Sequence, residues 1–244
     1  MKLGNYLNEI DNVKGWCMPE LWNCIQPIDI FQKENGVQGP IAEIGVHHGK
    51  FFIGLALTKE GEGEHAAFDV FDMQEFNLDI SGKGNEEIFR QNVKNYNIDN
   101  FESITVDSLR IKDAMISERN ERFSLFSVDG CHMAEHTVND FRIAMKMVKS
   151  EGIIFIDDYY NPNWPGVQEG MSKLYLTETC NFVPLLFTCN KLFLCSLSFH
   201  ELYLNFISKF LSENYPSSRV KRVKRFGYET ITVIPKWHLK NYLV

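Results

Sequence analysis

The feature that most limits how this chain can fold is an alternation. Five short apolar runs are PIAEIG (40–45), HAAFDVF (65–71), FESITV (101–106), FSLFSVDG (123–130) and GIIFIDD (152–158). Between them lie helical patterns over 50–59, 85–96, 108–119 and 134–149, the last with Val138, Phe141, Ala144, Met145 and Val148 on one face. Apolar runs separated by amphipathic helices predict parallel strands covered on both faces. FVPLLFTCN (182–190) and KLFLCSLS (191–198), parted at Asn190, predict an antiparallel pair that closes the sheet. The expected fold is therefore α/β, a Rossmann-like doubly wound sheet, mostly parallel with an antiparallel last strand. Residues 1–37 read as a helical lead-in or lid with Trp16 and Trp22 as packing anchors, 38–198 as the core, and 199–244 as an appendage. The appendage holds a helix over 200–213, the basic run RVKRVKR (219–225) with Val220 and Val223 turned inward, and a strand-like YETITVI.

Composition narrows the setting. The 244 residues suit one large domain, and a net charge of −7 argues against a general nucleic-acid binder. The opening MKLGNYLNEIDN has no apolar core of a signal peptide, and the longest apolar stretch is broken by His200, Glu201, Asn205 and Lys209. Six cysteines, at 17, 24, 131, 180, 189 and 195, form no C-x-x-C pair, which predicts reduced thiols in a cytoplasmic protein without a membrane span. A homo-oligomer is compatible with this composition but not specified by it.

In open α/β sheets the ligand sits beyond the carboxyl ends of the strands. Here every strand ends in a carboxylate: Glu43, Asp69, Asp107, Asp129 and the pair Asp157-Asp158. The first turn, EIGVHHGK, carries Gly45 and Gly49, but His47 stands where a dinucleotide loop wants its second glycine. Two adjacent histidines do not share one ion easily, so His47 is expected to line the pocket through its backbone. Asp69 follows Gly49 by 20 residues, the spacing for a carboxylate that accepts both hydroxyls of a ribose. Asp107 and Ser108 are placed to face an adenine edge. An adenosine without phosphate, beside acidic residues that suit a cation, fits S-adenosylmethionine.

The later strand ends form a second cluster. Asp129, Asp157 and Asp158 on neighbouring strands would repel unless a cation joined them, and an all-oxygen set favours Mg²⁺. Asp129 is expected to border both the methyl donor and the metal. His132, three residues beyond Asp129, suits the base that takes a proton from an attacking hydroxyl. His136 looks like surface. The loop YYNPNWPGV offers Tyr159, Tyr160 and Trp164 for stacking on a sugar or ring, and FNLDISGKGN (76–85) is a candidate lid together with the segment around Trp16.

In order, EIGVHHGKFF, FDVFD, VDGCH and IDDYYNPNWPGV resemble the class I S-adenosylmethionine-dependent methyltransferases. They are most similar to the metal-dependent small-molecule branch of macrocin and mycinamicin O-methyltransferases, and more distantly to catechol O-methyltransferase. The resemblance spans about residues 38–198. It implies a seven-stranded sheet; Glu43, Gly45 and Gly49 at the methionine end; Asp69 at the ribose; and Asp107 and Ser108 by adenine. It also implies a divalent ion at the aspartates and His132 as the base. The acceptor it implies is a hydroxyl of a small molecule, a sugar or glycoside. Two rivals stand beside this reading: a nicotinamide-dinucleotide oxidoreductase, which the substitution at His47 disfavours, and an inactive binding protein with the same fold.

Overall fold

The computed structural model describes residues 3–216 and 219–234. Residues 235–244 of the expected appendage lie outside the described residues. The lead-in contributes helices α1 (Leu3–Asn8) and α2 (Trp22–Glu34). The alternating segment follows as β1 (Ile41–Ile44), α3 (Lys50–Thr58), β2 (His65–Asp69), α4 (Glu86–Asn95), β3 (Phe101–Thr105), α5 (Asp113–Glu118), β4 (Phe123–Val128), α6 (Ala134–Met147) and β5 (Val148–Ile156). Next come α7 (Pro165–Thr177), β6 (Phe182–Thr188), β7 (Lys191–Ser196), α8 (His200–Asn214), β8 (Arg219–Arg225) and β9 (Tyr228–Ile234).

The sheet order is β3-β2-β1-β4-β5-β7-β6-β9-β8. Pairings among β1 to β5 are parallel, and β7 runs antiparallel to both β5 and β6. That is the doubly wound sheet expected, with its switch point between β1 and β4. Alternate side chains feed two cores. Ile41, Leu125, Ile153 and Phe155 join the layer with α2 and α3, whereas Ala42, Phe126, Ile154 and Ile156 join the layer with α6 and α7.

Three expectations are corrected. Among the described residues the sheet has nine strands, not seven, because β9 pairs in parallel with β6 and β8 closes on β9 along its whole length. The appendage thus covers the edge that β6 would leave open, and the basic β8 becomes the new edge, where charge discourages further pairing. Val220 and Val223 do not both turn inward: residues three apart on a strand point to opposite faces, and Val223 is 37% exposed while Val220 packs on the core. Finally, 108–119 is not one helix. Asp107 accepts from the Leu109 N–H at 3.1 Å, which closes a 3-10 turn over Ser108–Arg110, and Ile111 and Lys112 are extended before α5 begins.

Candidate active site

A cleft of about 530 Å³ opens where β1, β2, β4 and β5 end, at the switch point of the sheet. Gly45 makes its floor possible. Its φ is +86°, and a Cβ there would lie 1.8 Å from the Asp129 carbonyl oxygen. His47 adopts a left-handed φ of 52°, which aims its N–H at Asp69 Oδ2 (2.8 Å). The Phe71 N–H donates to Asp69 Oδ1 at 2.6 Å. Two backbone amides therefore orient the Asp69 carboxylate in the cleft wall, while burial still raises its pKa. Gly49, φ +92°, enters α3 with Phe89 against its open side.

The His47 ring meets Trp16 (centroids 5.4 Å apart) and His48 (4.0 Å). Burial and the neighbouring His48 push its pKa down to about 4, so it is neutral at pH 7. Trp16 is not a buried anchor: it is 73% exposed at the mouth of the cleft, whereas Trp22 is buried against Phe51. Asp107 and Ser108 line the far end. Behind Ser108 lies Asp140, whose pKa burial lifts to about 7 against hydrogen bonds from Ser108 and Asn139.

Glu43 lies beneath the floor rather than in the cleft. It is buried, and burial lifts its pKa to about 8 although the Lys191 ammonium and the Ser127 hydroxyl oppose the shift. Lys191 opens β7 and is 4% exposed; its Nζ lies 2.5 Å from Asp157 Oδ2 and 4.3 Å from the Phe51 ring centre. Burial disfavours this ammonium, but Asp157 and Asp129 hold it charged and raise its pKa.

That pairing changes the acidic cluster. The structure brings Asp129 and Asp158 together with His132, their ligand atoms all within 4.8 Å of one another, and turns Asp157 to Lys191 instead. The sequence places Asp157 and Asp158 side by side, but both lie in the turn past the end of β5, where Asp158 takes a left-handed φ of 54°. His132 Nε2 lies 3.0 Å from Asp158 Oδ2 and 3.8 Å from Asp129 Oδ1. Burial opposes charge on His132, but hydrogen bonds to Asp158 and Asp79 outweigh it and lift the pKa to about 9. Burial drives the Asp129 pKa well up, with Asp157 adding to the shift and Lys191 opposing it.

Of the three aromatics in the loop after β5, only Trp164 lines the cleft, stacked on His132 at 4.4 Å and 16°. Tyr159 is buried, and Tyr160 packs on Phe187 outside it. His136 is buried and reaches the cleft, not the surface. Both lid segments border the cleft, through Trp16, Cys17 and Met18 on one side and Asn77, Ser81 and Gly82 on the other. Sequence reasoning missed Lys191 and Asp79. A lysine at the start of the last antiparallel strand, next to two strand-end aspartates, was the available signal for the first; Asp79 had none beyond its place in a polar lid.

Comparison with known proteins agrees with this geometry. The model of the methyltransferase-domain family matches residues 42–159. No curated protein matches the sequence. Among solved structures, the O-methyltransferase NovP is 15% identical, with a TM-score of 0.56 over 72% of this chain and 79% of its own. CalS11, a TDP-rhamnose 3'-O-methyltransferase of calicheamicin biosynthesis, is 15% identical with a TM-score of 0.53 over 79% and 92%. The MycE methyltransferase of the mycinamycin pathway, in complex with Mg, SAH and mycinamycin VI, is 16% identical with a TM-score of 0.53 over 80% and 54%. At such identities the likeness is one of fold.

Residues 42–159, just under half of the chain, match a methyltransferase domain, and the fold around them is the one these methyltransferases share. The solved O-methyltransferases NovP, CalS11 and MycE share that fold. Among the described residues, no helix is long and apolar enough to cross a membrane.

Proposed function

We propose that this chain transfers the methyl group of S-adenosylmethionine to a hydroxyl of a small molecule, a sugar or glycoside. The observation that carries the reading is that one cleft holds both halves of the chemistry. The braced carboxylate of Asp69 stands in one wall, and His132 stands beside Asp129 and Asp158 in the other. In this reading Asp69 accepts from the ribose hydroxyls, Asp107 and Ser108 border adenine, and Gly45, His47 and Gly49 shape the methionine end. Glu43 supports that end from below, and Asp129 borders donor and acceptor alike. The acceptor oxygen attacks the methyl carbon in line. The carbon–sulfur bond breaks with its electron pair left on sulfur, and the hydroxyl proton passes to His132 Nε2.

A divalent cation fits the donor set. Asp129 and Asp158 are two oxygen donors in reach of one another, and Mg²⁺ is commonly held by one or two carboxylates plus substrate oxygens. Asp157 joins them only by leaving Lys191. When bound, the ion would draw Asp158 off His132, favouring the neutral imidazole, and acidify a hydroxyl that it contacts. MycE holds Mg in its complex, which supports the same assignment here.

Two measurements test the reading. Calorimetry should show S-adenosylhomocysteine bound by the full chain, and Asp69→Ala should weaken it about a hundredfold through the loss of charge-assisted hydrogen bonds. Unchanged affinity would remove Asp69 from the cofactor site, and NADH binding in place of S-adenosylhomocysteine would favour the oxidoreductase rival. Mn²⁺ binding, followed by its electron paramagnetic resonance signal, should weaken about tenfold or more in Asp158→Asn. Equal Mn²⁺ binding by variant and parent would contradict the metal assignment.

A further inference from the structure

We propose that Asp79, carried by the loop over the cleft, is the positioning residue of His132: it fixes the ring so that Nε2 is the nitrogen left for the acceptor. The inference rests on the reading of His132 as proton acceptor given above.

Asp79 sits in the segment 77–84 that follows a 3-10 turn over Gln74–Phe76. The segment lines the cleft through Asn77, Ser81, Gly82 and Gly84. Its two apolar residues point outward, Leu78 at 57% and Ile80 at 80% exposure, while the Asp79 side chain between them is 7% exposed. A loop that leaves its hydrophobes in water and turns its carboxylate inward reverses the usual partition of residues. Ile80 also holds a φ of 56°, an uncommon conformation for a β-branched residue. Something inside must hold this arrangement, and the contacts of Asp79 identify it. Its Oδ2 accepts the backbone N–H of His132 at 2.7 Å and lies 2.6 Å from Nδ1 of the same residue. Its Oδ1 accepts from the Ser81 N–H at 3.1 Å. Among the described residues no lysine or arginine pairs with it.

The ring of His132 is therefore held on three sides. Asp79 holds the Nδ1 edge and the backbone, Trp164 stacks on the face, and the Nε2 edge looks toward Asp129 and Asp158 in the cleft. An acceptor at Nδ1 places the proton of the neutral ring there, and the Nε2 lone pair is free once Asp158, 3.0 Å from Nε2, turns to a cation. Without Asp79 a neutral imidazole in water mostly carries its proton on Nε2, the wrong nitrogen for this geometry. The arrangement has the logic of the orienting carboxylate in hydrolase triads, in which the third group fixes tautomer and angle while the histidine moves the proton. Here the orienting group rides on the cover of the cleft, so closing the loop and aiming the base are one event. Two other described histidines are set the opposite way. His65 Nδ1 accepts from the Ile41 N–H, and His200 Nε2 faces two carbonyl oxygens, so both keep their proton on Nε2.

The test reads proton position and needs no acceptor substrate. The full chain, labelled with ¹⁵N-histidine and saturated with S-adenosylhomocysteine and Mg²⁺, which engages Asp158, is examined by long-range ¹H–¹⁵N NMR at a pH where the imidazoles are neutral. His132 is assigned by the signals lost in His132→Gln. The expected result is an Nδ1–H tautomer for His132 in the parent and a shift to Nε2–H in Asp79→Ala. Asp79→Asn, which keeps an acceptor oxygen, should restore Nδ1–H. S-adenosylhomocysteine affinity unchanged from the parent in both variants shows that the fold is intact. An Nε2–H tautomer in the parent, which requires no variant to fold, would overturn the proposal. So would an Asp79→Ala variant in which limited proteolysis at 77–84 speeds up while His132 stays Nδ1–H, since that is a latch without a positioning role. Failure of the function reading shows separately, as absent S-adenosylhomocysteine binding in the parent.

Discussion

Gly45→Ala is expected to abolish S-adenosylhomocysteine binding and to destabilise the fold by about 3–5 kcal/mol, from left-handed strain plus overpacking. The atom that an added methyl would strike is backbone. A Cβ at residue 45 would sit 1.8 Å from the Asp129 carbonyl oxygen and 2.3 Å from its carbon. Neither side can retreat easily. The Gly45 N–H donates to the Phe68 carbonyl at 2.8 Å, and the Asp129 N–H donates to the Ile44 carbonyl at 2.8 Å, so the turn is tied into β2 and β4 at once. Gly49→Ala is the informative comparison. Its φ is also left-handed at +92°, but the first neighbour is the Phe89 ring at 3.0 Å, a side chain that can swing. It should cost less and leave measurable cofactor affinity. Urea denaturation with calorimetry checks both, and a Gly45→Ala protein with parental stability and affinity would contradict the turn described here.

Lys191→Met should destabilise the chain by about 3–5 kcal/mol, because removing one member of a buried ion pair leaves the others uncompensated. The ammonium faces Asp157 at 2.5 Å and also counters Asp129 and Glu43. The pH dependence gives the sharper check. Glu43 has an ordinary value of 4.5 and a folded value of about 8, so between these limits the folded state binds more protons than the unfolded one. Stability from this group is therefore present at low pH and is lost as pH rises toward 8. Lys191 holds the Glu43 value down, and without it the value climbs and the loss continues to higher pH. The gap between Lys191→Met and the parent should thus widen from mildly acidic to alkaline solution. A gap that is constant across that range would mean that Lys191 does not act on Glu43.

Much of the site was readable from one dimension. Strand ends carry their chemistry wherever the sheet puts them, so Asp69, Asp129 and Asp158 were visible as acidic terminators of apolar runs. His132 lies three residues past Asp129 and shares its turn. The segment around residue 79, which borders the cleft, stood out by its glycines and polarity. What did not show was pairing. Asp157 and Asp158 are identical in sequence character, yet one meets Lys191 and the other His132. Trp16 and Trp22 look equivalent, yet one lies open at the cleft and the other is buried.

By itself, then, the sequence determined the alternation of strands and helices, the acidic rim and the glycine at the first turn. These follow from local periodicity, from the chemistry of a residue type and from the one φ that glycine alone takes easily. Only the tertiary structure decided that β9 and β8 extend the sheet past β6, that Lys191 claims Asp157, and that Asp79 reaches His132 from 53 positions away. Each of these is a long-range choice among chemically similar partners. Strand order and the direction in which a side chain leaves its backbone settle that choice, and no local pattern encodes it.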